Sequence, residues 1–211
     1  DSSTSRGLGD VYKRQVTYSK SVNIELPSNI AYLDIEIEDD LKPIEKKKTK
    51  SDEERLEAAA KKIAQRFENA KNPVVLIDEA VDRYDVADKV LELIEKAQVP
   101  FAALATAKAY YNESHPLYLG IYQGDESDEG VQEKVENSDF LISIEPVFMQ
   151  ANNGEFTAKL PEDAIIINAD YTKVGEEIFE AVYVSDLVEL GLKNIPPVSY
   201  THLTLPTSDL V

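Results

Sequence analysis

Apolar residues recur along this chain in two rhythms. Short, mainly apolar runs occur at Val74–Ile77, Phe101–Ala105, Phe140–Ile144 and Ala164–Asn168, each too short for a helix. They predict strands covered on both faces. Between them, apolar positions return every three or four residues, as on one face of a helix. Leu56, Ala60, Ile63 and Phe67 form one such stripe, which stops before Asn72-Pro73. Tyr84–Ala97 forms another, with Val86, Val90, Leu93, Ile94 and Ala97 facing inward, and Val131–Asn137 a shorter one. Ser51 with Glu54 has the spacing of a capping box at the start of the first helix. Val182–Val184 reads as a fifth strand, followed by a helix capped by Ser185. Strands alternating with amphipathic helices predict an α/β fold: a doubly wound, mainly parallel sheet with helices on both faces, Rossmann-like, over residues 51–194.

The flanking segments read differently. Val22–Leu26 alternates as a strand does and stops at Pro27, while residues 34–50 form a charged linker whose lysines 46–48 face solvent. Residues 1–15 and 195–211 lack any periodicity. Both resemble translated sequencing-adaptor runs and are expected to be artefactual or disordered tails, outside the fold.

Charge and composition then narrow the function. With 22 basic and 40 acidic residues the net charge is −18, which repels phosphate backbones and anionic lipid. No nucleic-acid or membrane partner is therefore expected. The absence of cysteine removes disulfides, thiol nucleophiles and thiolate metal sites, and makes a cytoplasmic setting the default. The turn after the first strand is Asp78-Glu79-Ala80-Val81-Asp82, three acids and no glycine, where a dinucleotide fingerprint would need glycines against a pyrophosphate. Gly124–Glu136 imitates a calcium loop, with Asp125, Glu129, Gly130 and Glu136 in register. Ser127 and Gln132 break the pattern, and acids opening a helix are explained by its dipole. His115, followed by Pro116, reads as a turn residue. Tyr110, Tyr111, Tyr118 and Tyr122 read as a cover for the sheet end and an interface. The polar turn at Asn112–His115 is expected on the functional, carboxyl side of the sheet, because loops there carry ligands in such folds.

Four stretches taken together, KNPVVLIDEAVDRYDV (71–86), PFAALATAKAYYNESHPLYLGIYQG (100–124), VQEKVENSDFLISIEPVF (131–148) and NNGEFTAKL (152–160), carry a family resemblance. The chain resembles the central domain of thiamine-diphosphate-dependent 2-oxo acid decarboxylases, the pyruvate and indolepyruvate branch above all. The resemblance covers residues 20–193. Its most specific marks are Lys108, then His115-Pro116-x-Tyr118-x-Gly120, Gly124, and the loop Asn153-Gly154-x-Phe156. Val22–Asn29 resembles the last strand and exit of the preceding pyrimidine-binding domain, so residues 16–33 are assigned to it.

The resemblance implies a carboxy-lyase parent that uses thiamine diphosphate and Mg²⁺ and forms a homodimer or homotetramer. It also implies that this domain packs between pyrimidine- and diphosphate-binding domains. The Gly-Asp-Gly…Asn motif that holds the metal and diphosphate in the family does not occur in this sequence; Gly124-Asp125 is followed by Glu126. No catalytic, cofactor-binding or metal-binding residue is therefore expected in the chain itself, which is expected to be inactive alone. The motif residues are expected to be structural or channel-lining. Near Ser127–Gly130, where an aromatic can stand at the place of Asp128 in the family, the acid departs from the pattern. Two rivals use the same fold: a regulatory module binding ADP, FAD or NAD, and an acetolactate-synthase relative.

Overall fold

Five strands wind a parallel core: β1 (Pro73–Ile77), β2 (Phe101–Ala103), β3 (Tyr118–Ile121), β4 (Phe140–Ile144) and β5 (Ile165–Ile167). A hairpin of β6 (Tyr171–Val174) and β7 (Glu177–Glu180) extends it. The order across the sheet is β3-β2-β1-β4-β5-β6-β7. Pairings among the first five strands are parallel, and those of β5 with β6 and of β6 with β7 are antiparallel. The chain thus winds outward from β1, returns to its other side at β4 and winds outward again, as doubly wound sheets do. The computed structural model describes residues 27–29, 31–34, 50–169 and 171–194. Residues 1–49 and 50–211 form separate units, and the sheet belongs to the second. In the first, the Ala31 amide donates to the Pro27 carbonyl at 3.2 Å. The strand expected at Val22–Leu26, both tails and nearly all of the linker lie outside the described residues.

Two apolar layers sandwich the sheet. One face carries α1 (Glu53–Phe67), α3 (Ala87–Ala97) and α5 (Val184–Asn194), whose Ile63, Val90, Ile94 and Val188 pack with Val75, Ile77, Ile142 and Ile165. The other carries α4 (Glu129–Glu136), whose Val131 and Val135 pack with Val74, Leu76, Ala102 and Leu141. Strands β1 and β4 are buried at every position, the signature of central parallel strands and the reason their sequences are almost wholly apolar, Ser143 being the exception. Each such buried side chain contributes about 1.5–3 kcal/mol.

Several local expectations are corrected. Asp52, not Ser51, caps α1: its carboxylate accepts from the Arg55 amide at 3.0 Å. Ser51 instead ties the two ends of the domain together. Its hydroxyl accepts from the Tyr183 amide at 2.8 Å, and its amide donates to Asp186 at 2.7 Å. Tyr84–Ala97 is not one helix. A single turn, α2 (Ala80–Arg83), ends at Asp85 with φ of 56°, and only then does α3 begin. Val182–Val184 is no strand, and Ser185 lies inside α5, which starts at Val184. The hairpin replaces that fifth strand; Gly175 turns it with φ of 64°. Its outer strand, β7, points Ile178 to solvent between Glu177 and Glu180, and Glu177 pairs with Lys62 of α1.

Candidate functional site at the carboxyl end of the sheet

Where parallel strands end, backbone amides and loops converge, and in doubly wound folds this is where ligands sit. Here the centre of that end is filled by a carboxylate. Asp78 follows the last residue of β1 and is fully buried. It accepts from the Glu79 amide at 2.7 Å, the Val147 amide at 2.8 Å, the Asn152 side-chain amide at 3.3 Å and the Thr106 hydroxyl. Four segments are tied by one side chain: the turn into α2, the 3-10 turn Ala105–Tyr110 after β2, the loop after β4, and the 3-10 turn Gln150–Asn152. A buried anion is tolerated only when its lone pairs are filled by donors, and these donors fill them. Asn152, itself buried, completes the knot by donating to the Val147 carbonyl at 3.0 Å.

A second knot lies beside it. Gly124 and Gly154 both have left-handed φ, of 56° and 58°. A Cβ at Gly154 would stand 2.2 Å from the Gln123 carbonyl oxygen, and one at Gly124 would stand 2.7 Å from the Ala158 amide nitrogen. Only glycine fits either place. Thr157 locks the two together: its hydroxyl donates to the Gly154 carbonyl at 2.6 Å and accepts from the Asp125 amide at 2.9 Å. Gly154, Glu155 and Phe156 are three consecutive residues at positive φ, 58°, 53° and 69°. Such a conformation costs on the order of 1–3 kcal/mol for each non-glycine residue. It is held by Asn153, whose Oδ1 accepts from the Phe156 amide at 2.9 Å, and it presents the Phe156 ring 69% exposed. Val147, Phe148 and Met149, on the loop tied to Asp78, are exposed as well.

The motif residues therefore separate. Gly124, Asn153, Gly154 and Phe156 meet at the carboxyl end, and Asp128, exposed at the start of α4, borders the same loop. Lys108 lies on the 3-10 turn after β2, exposed and 3.4 Å from Glu113. His115, Pro116 and Tyr118 lie at the opposite, amino end. This corrects the expectation that the Asn112–His115 turn sits on the ligand side. The chain leaves β2 upward, then runs back down before β3, because the Leu117 carbonyl must accept from the Phe101 amide at 2.9 Å to start the parallel pair. His115 Nδ1 accepts from the Leu117 amide at 3.1 Å, so Nε2 carries the hydrogen toward Glu95 at 3.2 Å. Gly120 on β3 approaches α4: a Cβ there would meet Val131 at 2.9 Å.

The tyrosines also divide. Tyr122 is wholly buried rather than part of a surface cover; its hydroxyl donates to Glu136 at 3.0 Å and accepts from the Lys159 amide at 3.1 Å. Tyr111 and Tyr118 pack against the Phe101 ring, with centroids 5.5 and 5.2 Å away, and only Tyr110 stands out in solvent. Burial, and then the Glu136 carboxylate, pushes the Tyr122 phenol well above its ordinary range. Burial first, with Asp82 and Asp88 behind it, does the same to Tyr111. Burial, then Glu113, raises Tyr118.

Asp78 and Asn152 were not singled out as site residues by the sequence, and nothing in one strand-end acid distinguishes a buried hub from a solvated turn. In the run that imitates a calcium loop, Asp125 accepts from Gln132 at 2.9 Å, and the Ser127 hydroxyl is spent on the backbone of Gln123 and Gly124. Among the described residues no three acids, histidines or cysteines converge as a metal site.

A profile of the thiamine pyrophosphate enzyme central domain matches residues 60–192. The chain belongs to the thiamine pyrophosphate enzyme family, as a central domain. It is 30% identical over 218 residues to a pyruvate decarboxylase of Candida albicans, an alignment covering 98% of this chain and 36% of that one. It is 29% identical over 187 residues to pyruvate decarboxylase isozyme 3 of Saccharomyces cerevisiae, covering 86% and 33%. The chain thus spans about a third of the length of the curated relatives it matches. The crystal structure of benzoylformate decarboxylase from Polynucleobacter necessarius shares the fold with a TM-score of 0.53 at 17% identity, over 78% of this chain and 31% of that one. The family name implies thiamine diphosphate, and the described residues do not fit its diphosphate. Asp78 fills the strand end with protein donors, and the turn that follows, Glu79-Ala80-Val81-Asp82, has no glycine to let backbone amides approach a phosphate, so this turn does not cradle a diphosphate. No step of the chemistry is assigned to residues of this domain.

Proposed function

We propose that this chain is the central, non-catalytic domain of a longer thiamine-diphosphate-dependent 2-oxo acid decarboxylase, acting on pyruvate, indolepyruvate or phenylpyruvate. The observation that carries the reading is Asp78. A carboxylate with donors from four segments seals the place where a nucleotide-binding version of this fold would open, so the domain is built as a rigid layer. Residues 51–194 are that layer, and residues 16–33 the end of a preceding pyrimidine-binding domain. Thiamine diphosphate and Mg²⁺ are held by the pyrimidine- and diphosphate-binding domains of the parent, a cytoplasmic homodimer or homotetramer. In it, Gly124, Asn153 and Gly154 set loop shape, Gly120 lets β3 approach α4, Lys108, His115, Pro116 and Tyr118 brace the two ends of β2 and β3, and Asp128 and Phe156 face the substrate channel. The net charge of −18 supports a role without nucleic acid or membrane partners. Among the described residues no helix is long and apolar enough to cross a bilayer.

Two measurements on the 211-residue chain test this. Supplied with thiamine diphosphate, Mg²⁺ and pyruvate or phenylpyruvate, it is expected to release no CO₂ above background; turnover would refute the non-catalytic assignment. Titrated with ADP, NAD or FAD, it is expected to keep its melting temperature. A rise of several degrees with one of them would favour the nucleotide-binding module, and flavin absorbance in the intact parent would favour an acetolactate-synthase relative.

A further inference from the structure

The two faces of the outer hairpin are covered unequally. Thr172, Val174 and Phe179 are buried, the last two in the layer that holds α1, α3 and α5. On the other face stand Tyr171 and Lys173 of β6 with Ile178 and Glu180 of β7, and Ile166 of β5 continues the surface inward. The helix on that side, α4, packs with β1, β2 and β4, across β5 from the hairpin. The hairpin face is left to solvent: Tyr171 is 37% exposed and Ile178 57%. A solvated face of an antiparallel ribbon ordinarily carries polar residues, and this one carries an aromatic and a branched alkyl side chain.

The register gives that face a pattern. Tyr171 stands opposite Glu180, and Lys173 opposite Ile178. The four side chains form a square with one apolar diagonal, Tyr171 to Ile178, and one of opposite charges, Lys173 to Glu180. Among the described residues, neither Lys173 nor Glu180 has an ion pair within the chain. Such a square is its own complement. A second copy turned over about the apolar diagonal lays Tyr171 on Tyr171, Ile178 on Ile178, and each Lys173 on the other copy's Glu180. Axes along or across the strands would set Lys173 on Ile178 or on Tyr171. An axis along the charged diagonal would set lysine on lysine and glutamate on glutamate.

We propose that this hairpin face is a self-association surface, on which a second copy of the chain docks about a twofold axis along the Tyr171–Ile178 diagonal. The strands of the two copies then cross steeply, as in orthogonally packed sheets. Five side chains from each copy bury far less than the ~1,200 Å² at which stable interfaces begin, so the dimer is weak, with Kd on the order of 10⁻⁴ M. The net charge of −18 repels two copies at long range, and the Lys173–Glu180 pairs, acting inside a screening length of about 8–10 Å, select the one orientation. The surface needs only the hairpin, so it is independent of what the proposed parent catalyses.

The 211-residue chain is followed by sedimentation equilibrium and by ¹H–¹⁵N spectra from about 10 µM to about 1 mM, either side of that Kd. Its mass is expected to rise toward that of a dimer, with concentration-dependent shifts centred on Tyr171, Lys173, Ile178 and Glu180. Ile178→Lys is expected to hold the chain monomeric. Lys173→Glu and Glu180→Lys are each expected to weaken association at least ~10-fold, although the second makes the chain less acidic and would strengthen any association limited by net charge alone. An equimolar mixture of these two variants rebuilds both ion pairs between unlike copies and is expected to recover association to within about threefold of the original. A mixture no tighter than either variant alone would overturn the proposal. So would a monomer throughout the range, or association whose shifts leave the four positions still. Should Ile178→Lys not fold, the mixture alone decides.

Discussion

The two ends of this sheet are held by different physics. At the amino end, rings and short local bonds do the work: Phe101 is enclosed by Tyr111, His115 and Tyr118 at 5.2–5.5 Å, and Asp139 accepts from the Lys71 and Asn72 amides at 2.9 and 2.8 Å. At the carboxyl end, one buried carboxylate and two glycines hold loops that are far apart in sequence. Packing degrades gradually when an atom is lost, since neighbours relax into part of the space. A polar hub fails as a unit, because each donor it leaves behind is buried without a partner. The end that carries exposed apolar side chains for display is thus the less forgiving one.

The largest break in this contrast is expected from Asp78→Ala. It takes the acceptor from the Glu79 and Val147 amides, while the Thr106 hydroxyl and the Asn152 amide each keep a second partner, for a net loss of about 2–4 kcal/mol in urea unfolding. A loss under about 1 kcal/mol would show that the hub is solvated. Next comes a matched pair. Gly154→Ala places a Cβ 2.2 Å from a backbone oxygen at positive φ and is expected to cost about 2–4 kcal/mol. His115→Ala removes one ring contact and one amide acceptor at the other end and is expected to cost about 1–2 kcal/mol. Equal losses would erase the distinction.

The smallest effect is alkaline. The Tyr111 and Tyr122 phenols are raised in the folded state, so above about pH 10 the unfolded chain ionises first and gains stability. The stability contributed by their neutral forms is complete below that pH and is lost above it, by up to ~1.4 kcal/mol per pH unit for each ring. Melting temperature is expected to fall between pH 9.5 and 11. Tyr111→Phe, which removes a buried hydroxyl without a hydrogen-bond partner, is expected to change stability at pH 7 by less than about 0.5 kcal/mol and to blunt that fall. A fall as steep as that of the unmodified chain would contradict this account.

The same contrast explains what could be read in the residue order. Apolar rhythm carries the packed layers, so β1, β4 and the inward faces of α1 and α3 stood where their periodicity put them. The hairpin was hidden because Tyr171–Val174 and Glu177–Glu180 mix charged and apolar residues on a half-solvated ribbon, without a buried run. The direction of the loop holding His115 was equally hidden. Asn112-Glu113-Ser114 is a turn by composition, but only the Phe101–Leu117 bond says at which end it turns. Gly124, Asn153 and Gly154 were visible as motif residues because glycine at a forced φ leaves a sequence mark. Asp78 left none, since an acid reads alike whether it faces water or four donors.

The outermost strand of the hairpin has one more effect. Its border is tied to α1: the Glu180 carbonyl accepts from Arg55 at 3.2 Å and Glu177 pairs with Lys62, so a second copy zipped alongside would have to displace both. That tie is a stop signal written into the last ribbon: helix and hairpin are stitched at the place where the sheet would otherwise offer a bare margin.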